Sequence, residues 1–185
     1  MKIPGKYVVL RDDRKEADRE DFFRWRNLEE WQYYDEPDAP FKPISRGAYQ
    51  KRLKERKQEP KPSILDSHMW QIDTIAGQHV GWVSYYQLDR QLGSAFIGIC
   101  LPEEETWNKG LGTEAITLLI NHLFQEMELK QIKLATWTGN QRMVRCAEKC
   151  GFVENIRMPH RTPFSVRGEP LERIEFTRKI KPSQE

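Results

Sequence analysis

The stretch Trp107-Asn108-Lys109-Gly110-Leu111-Gly112-Thr113-Glu114-Ala115 constrains this chain more than any other. It comes after a strand-like run, Ser94 to Leu101, and opens a strongly apolar helix, Leu111 to Met127. Two glycines at a helix start let the backbone approach a ligand closely, and the unpaired N–H groups there point outward at an anion. The expected ligand is a phosphate compound. Gly110 to Ala115 also fits the dinucleotide pattern G-x-G-x-x-A. That pattern needs its first glycine directly after the strand and an acid about 20 residues further on. Here Pro102 to Lys109 intervenes, and the next strand-like run, Gln131 to Trp137, leads into Thr138-Gly139-Asn140 with no carboxylate. No Gly-Lys-Ser/Thr triplet is present after the glycine either, so both nucleotide readings fail.

At 185 residues the chain suits one domain with a substantial core. Thirty Lys and Arg against 28 Asp and Glu leave a net charge of +2, which gives no electrostatic case for nucleic acid or membrane. Three cysteines are an odd count, and Cys146 and Cys150 lie one turn apart on one helical run. Without His or carboxylate ligands at matching spacing, reduced buried thiols are expected and no metal. Met1 to Gly5 carries no apolar leader and no run reaches membrane-spanning length, so the expected location is cytoplasmic.

Tyr7 to Leu10 reads as a first strand, and Asp18 to Glu30 as a helix with Phe22, Trp25 and Leu28 turned inward. Trp31 to Pro43, with three prolines and three acids, reads as a loop. Ser45 can cap a second helix reaching about Lys57, whose basic run is a solvated face. Met69 to Ile75, Val80 to Leu88 and Ser94 to Leu101 form a meander with short turns. After the glycine helix come a strand at Gln131 to Trp137, a helix at Gln141 to Cys150, and strands at Phe152 to Met158 and Leu171 to Lys179. Strands first, then alternating strand and helix, argue a mixed α/β sheet with helices on both faces.

Together with the strand and helix C-terminal to it, the glycine segment resembles the GNAT superfamily of N-acetyltransferases. Its members run strand, W-G-K-G-x-G-T-E-A or a variant, helix, strand, and a closing N-x-R-x-x-x-x-x-E-K-x-G-F. This chain carries Asn140-Gln141-Arg142 and then Glu148-Lys149-Cys150-Gly151-Phe152 at that distance. The resemblance extends more weakly from about Lys6 to Ile180, beginning with Val8-Val9-Leu10-Arg11, and is strongest to the ribosomal-protein N-terminal acetyltransferases. It implies one N-acetyltransferase domain over residues 1–185, with its core at about 6–180, in the acyl-CoA N-acyltransferase fold. The implied reaction moves an acetyl group from acetyl-CoA, by direct attack on the thioester, to a primary amine of a protein N-terminus, polyamine, aminoglycoside or other small amine. No metal is implied, and a homodimer is possible. The alternative is a degenerate module that binds acyl-CoA without turnover, as a sensor or partner surface.

By resemblance, the backbone of Ile99, Cys100 and Leu101 runs along the pantetheine, Lys109, Gly110, Leu111, Gly112 and Thr113 hold the pyrophosphate with Trp107 beside them, and Asn140 contacts the pantetheine arm. Asn140 can also cap the helix it precedes. Many relatives place a tyrosine before Glu-Lys as the acid near the sulfur; Ala147 stands there instead, and Met143 occupies the serine position of some ribosomal-type relatives. A thiol titrates near ~8.5, so a thiolate can leave without full protonation. The attacking amine titrates near ~10 and must lose a proton. Tyr85, alternating faces with Tyr86, and His68 at a strand start are the catalytic candidates. Glu103, Glu104 and Glu105 read as a solvated loop, and His122 as a packing residue. Trp31, Asp35, Glu36 and Asp38 form a cluster of aromatic ring and acids suited to a cationic acceptor.

Overall fold

The computed structural model describes residues 1–56 and 68–180. Eight strands make one sheet in the order β1-β2-β3-β4-β5-β6-β8-β7. Strands β1 (Lys2–Pro4) and β2 (Val8–Arg11) precede helices α1 (Asp18–Arg26), α2 (Glu29–Asp35) and α3 (Arg46–Arg56). The meander β3 (His68–Thr74), β4 (His79–Asp89) and β5 (Ser94–Cys100) comes next, then α4 (Leu111–Glu126), β6 (Gln131–Trp137), α5 (Gln141–Lys149), β7 (Val153–Phe164) and β8 (Pro170–Lys179). Every pairing is antiparallel except β5 with β6.

Strand alternation divides the sheet into two faces. On one, α4 buries Ala115, Ile116, Leu119, Ile120 and Leu123 in a core with Val8, Leu10, Ile72, Val83, Ile97 and Ile132. Trp70 turns to this face too, its ring 5.1 Å from that of His122, so His122 is a packing residue. On the other face Trp82 meets the rings of Phe22, Trp25 and Trp31 at 5.3, 5.9 and 5.7 Å. Helices α1 and α2 thus cover the opposite side.

Two charged devices hold the first strands. Glu114, inside the glycine motif, accepts hydrogen bonds from the backbone N–H groups of Lys6, Tyr7 and Val8 at 2.6, 2.7 and 2.8 Å. Arg11, almost wholly buried, donates to Asp18 at 2.7 and 2.9 Å and to Asp73 at 2.8 Å. A buried guanidinium is tolerated only with this kind of pairing.

Several boundaries differ from the sequence expectation. The helix expected to reach Glu30 stops at Arg26, because Asn27 leaves the helical path and Leu28 is extended. Asn27 is tied on both sides, donating to the carbonyl of Phe23 and accepting from the N–H of Ile44. The expected loop from Trp31 therefore begins as helix α2, whose Tyr33 is buried with Trp137 and Leu171, long-range partners that override the local turn signals. The strand expected to end at Met158 runs on to Phe164 as β7, with His160 and Arg161 inside it. Glu103 is not free in solvent: it accepts from Arg24 and from Trp25 Nε1 at 2.9 Å. Strand β1 carries no expected counterpart. Ser45 accepts from the N–H of Ala48 as a cap, while Lys57, the expected end of that helix, lies outside the described residues.

Candidate active site

Pairing between β5 and β6 runs from Ser94↔Gln131 to Ile97↔Leu134 and then stops. Both strands continue, β5 to Cys100 and β6 to Trp137, so they splay and leave the β6-facing edge of Gly98–Cys100 unpaired by that strand. On its far side β5 stays bonded to β4 through Trp82↔Cys100. That close pairing requires Gly81, because a Cβ there would lie 2.1 Å from the Cys100 carbonyl oxygen. Beyond the splay, Trp107 Nε1 donates to the Leu101 carbonyl at 2.6 Å and anchors the loop into α4. Gly110 precedes α4 at φ 81°, a left-handed conformation that glycine adopts without strain.

A cavity of about 280 Å3 fills this opening. Ile99, Cys100, Leu101, Trp107, Gly110, Leu111, Gly112, Thr113 and Asn140 all line it; Lys109 is exposed and does not. The first turn of α4 offers its N–H groups there, the arrangement that suits a phosphate. Asn140 both lines the cavity and caps α5, accepting from the N–H of Met143 at 3.2 Å.

The opposite wall comes from α5 and α2. Arg142, Met143, Arg145, Cys146 and Lys149 repeat at helical spacing and share the cavity face of α5. That periodicity, counted from Asn140, is the signal by which the sequence alone reveals them. The Arg142 guanidinium lies 3.7 Å from the ring centre of Trp107 and 4.1 Å from that of Tyr34, joining the glycine loop, α5 and α2 through cation–π contact. Cys146 Sγ sits 3.5 Å from Thr113 Oγ1. Interaction with the Cys150 thiol lowers the Cys146 thiol against the effect of burial, and Thr113 and Lys149 act in the same direction. The same interaction and burial push Cys150 up. Ala147 is fully buried in the core, and Met143 stands on the cavity wall one turn earlier.

The acidic cluster expected at the acceptor side is dispersed. Trp31 and Asp35 line the cavity. Glu36 borders a separate hollow with Arg26 and Tyr33. Asp38 accepts from Thr162 Oγ1 at 2.7 Å and pairs with Arg161 at 3.2 Å, which hold its carboxyl below the usual range. Asp35 is the single carboxylate on the wall among the described residues, and no described residue hydrogen-bonds to it. Asp35 is exposed; partial loss of solvation at the cavity wall, and then the charge of Glu36, raise its carboxyl. Helix α2 is fastened from outside. Trp137 Nε1 donates to the Tyr34 carbonyl at 3.0 Å, Arg167 pairs with Glu30 at 2.7 Å, and the Tyr33 hydroxyl donates to Glu169.

Two catalytic candidates fall elsewhere. Tyr85 is buried in the α4 core, and His68 packs beside its ring and that of Trp70, on the face away from Asp35. Tyr86 takes the cavity-side face, stacked on Phe96. Asp18, Asp21 and His79 place ligand atoms within 4.8 Å of one another. Both Asp18 oxygens are already engaged by Arg11 and the Lys15 N–H, and His79 Nδ1 lies 3.0 Å from Asp21, so this is an ion-pair knot.

Residues 8–153 match the model of the acetyltransferase (GNAT) domain family. A Bacillus subtilis (strain 168) protein described as a probable N-acetyltransferase, YjcK, is 36% identical over 74 residues, 40% of each chain. The chain thus spans about two fifths of the length of that curated relative. Among solved structures, spermidine N-acetyltransferase from Vibrio cholerae in complex with CoA and spermine superposes with a TM-score of 0.74 at 17% identity, over 95% of this chain and 96% of that one. The ribosomal L7/L12 α-N-protein acetyltransferase RimL in complex with CoA gives 0.75 at 17%, over 97% and 98%. At those identities the likeness is one of fold. A family model that spans most of the chain, on a sheet splayed at the family's cofactor motif, places this protein in the GNAT acetyltransferase family.

Proposed function

We propose that this protein transfers the acetyl group of acetyl-CoA to a primary amine that brings a single cationic centre to the cleft, such as the α-amine of a protein or peptide. The observation that carries this reading is one cavity joining the α4 N-terminus, the splayed edge of β5 and Asp35. The α4 N–H groups suit the pyrophosphate, and the unpaired edge of Gly98–Cys100 suits the pantetheine. The neutral amine attacks the thioester carbonyl carbon, a C–N bond forms, and the C–S bond breaks with the electron pair leaving on sulfur. Backbone N–H groups at the splay are suited to the negative charge that develops on oxygen.

A polycationic acceptor is supported less well, because Asp38 is already paired and Glu36 faces elsewhere. Proton energetics favour the same choice: an α-amine titrates near ~8 and an alkylamine near ~10.4, so the first is freed far more easily. The test is thiol release from acetyl-CoA with an alanine-initiated peptide, spermidine and an aminoglycoside. Release with the peptide and weak release with the others is expected. CoA binding without release across all three would favour the non-catalytic acyl-CoA module.

A further inference from the structure

We propose that Asp35 is the catalytic base that takes the proton from the attacking amine. This rests on the acetyl-transfer reading above and assigns a residue to the step that reading leaves open. Three observations converge on it. Asp35 is the single carboxylate on the cavity wall among the described residues. It lines the same cavity as Ile99 and Cys100 of the splayed edge of β5, and its charge acts on the Cys100 thiol of that strand and on the Tyr86 phenol of β4. It has no hydrogen-bond donor or cation committed to it among the described residues, so its oxygens are free for an incoming ammonium. A carboxylate built for structure is paired, as Asp38 is with Arg161 and Thr162 and as Glu30 is with Arg167.

The other charged groups nearby are placed so that they do not neutralise it. Arg142, on the same wall, is stacked between Tyr34 and Trp107. Arg173 of β8, beyond Tyr86, is paired with Glu175 at 2.9 Å. Arg145 and Lys149 lie further along α5, where Lys149 acts on Cys146 beside Gly112. Glu36, next in the chain, is the charged group that acts on Asp35 itself. Asp35 is exposed, yet partial loss of solvation and then the charge of Glu36 raise its carboxyl, which makes it a stronger base once ionised. The proton passes from the ammonium nitrogen to an Asp35 oxygen and the amine lone pair becomes free. After C–N bond formation the oxyanion re-forms the carbonyl and the C–S bond breaks with its electron pair on sulfur. The second proton passes from nitrogen to that sulfur to give the CoA thiol, while Asp35 returns its proton to water.

The experiment measures kcat/KM against pH with acetyl-CoA and the alanine-initiated peptide for wild type, Asp35→Asn, Asp35→Glu and Glu36→Gln. Calorimetric CoA affinity is the control. For wild type the rate should fall as pH drops through the raised Asp35 carboxyl. Asp35→Asn should lose about 100-fold or more, keep its CoA affinity, and track only the titration of the peptide amine. Asp35→Glu should restore part of the rate. Glu36→Gln should keep activity and move the acidic limb to lower pH, which a merely structural role for Asp35 would not produce. A full rate and unchanged pH profile in Asp35→Asn would overturn the assignment. So would a 13C carboxyl signal for Asp35 that titrates in the ordinary aspartate range. Absence of thiol release by the wild type would instead count against the amine reading, and the two failures are therefore distinguishable.

Discussion

Gly112 separates the demands of the fold from those of the cofactor. A Cβ built at this position lies 3.5 Å from Leu101 Cδ1, 3.6 Å from Ile99 Cδ1 and 4.0 Å from Cys146 Sγ, ordinary contact distances. Gly112 also lies inside α4 with right-handed backbone, unlike Gly110. Gly112→Ala should therefore fold, and the helix preference of alanine should offset any packing cost, with a gain of at most about 1 kcal/mol. The new methyl, however, stands among residues that line the cavity, where the cofactor must lie against the backbone. Displacing one phosphate oxygen from its N–H donor loses a charge-assisted hydrogen bond, about 1.5–3 kcal/mol. That corresponds to a roughly 10- to 150-fold weaker Kd for CoA. Gly112→Asp should weaken it further by adding a like charge. The assay is calorimetric CoA titration alongside thermal denaturation. A folded Gly112→Ala protein with wild-type affinity would refute the placement of the pyrophosphate against this turn.

Three further outcomes are expected. Asp18 is held below the usual carboxylate range: burial opposes this, but the hydrogen bonds from Arg11 and the Lys15 N–H win. Its contribution to stability is therefore complete above the unfolded value near ~3.9 and disappears as pH falls through the lower folded value. Asp18→Asn should cost about 1.5–3 kcal/mol at neutral pH, the loss of a charge-assisted pairing, because Asp73 still pairs with Arg11, and should flatten that acid dependence in urea titrations. Ala147→Tyr should not restore an acid near the sulfur. Because Ala147 is fully buried, the ring should overpack the core by about 1–3 kcal/mol and lower Tm, and a stable variant with higher kcat would contradict this. Cys146 should react with iodoacetamide faster than Cys150 near pH 7, and saturating CoA should slow it, as peptide mass spectrometry can track.

Residue order along the chain was enough for the features that depend on near neighbours. Gly110 and Gly112 announce a backbone turned toward an anion, and the periodicity of Leu111 to Glu126 announces a helix buried along one side. The limits of β6, Gln131–Trp137, are legible because strand residues and their breakers lie together in the chain. Asn140 declares its cap, while its place at the cleft came from the family resemblance. Contacts between distant residues decided the rest. Tyr85 and Tyr86 are equivalent in sequence, and only the register of β4 between β3 and β5 sends Tyr85 into the α4 core and Tyr86 to the cavity side. Asp35, Glu36 and Asp38 look like one cluster, yet α2 ends at Asp35 and the hairpin of β7 and β8 takes Asp38 for itself. Arg142 gains its role only when Tyr34 and Trp107 close on it from elements far apart in the chain. Local pattern specifies which way one residue differs from the next; which of those directions becomes a cleft depends on where two strands part, and that is set by pairings across the whole sheet.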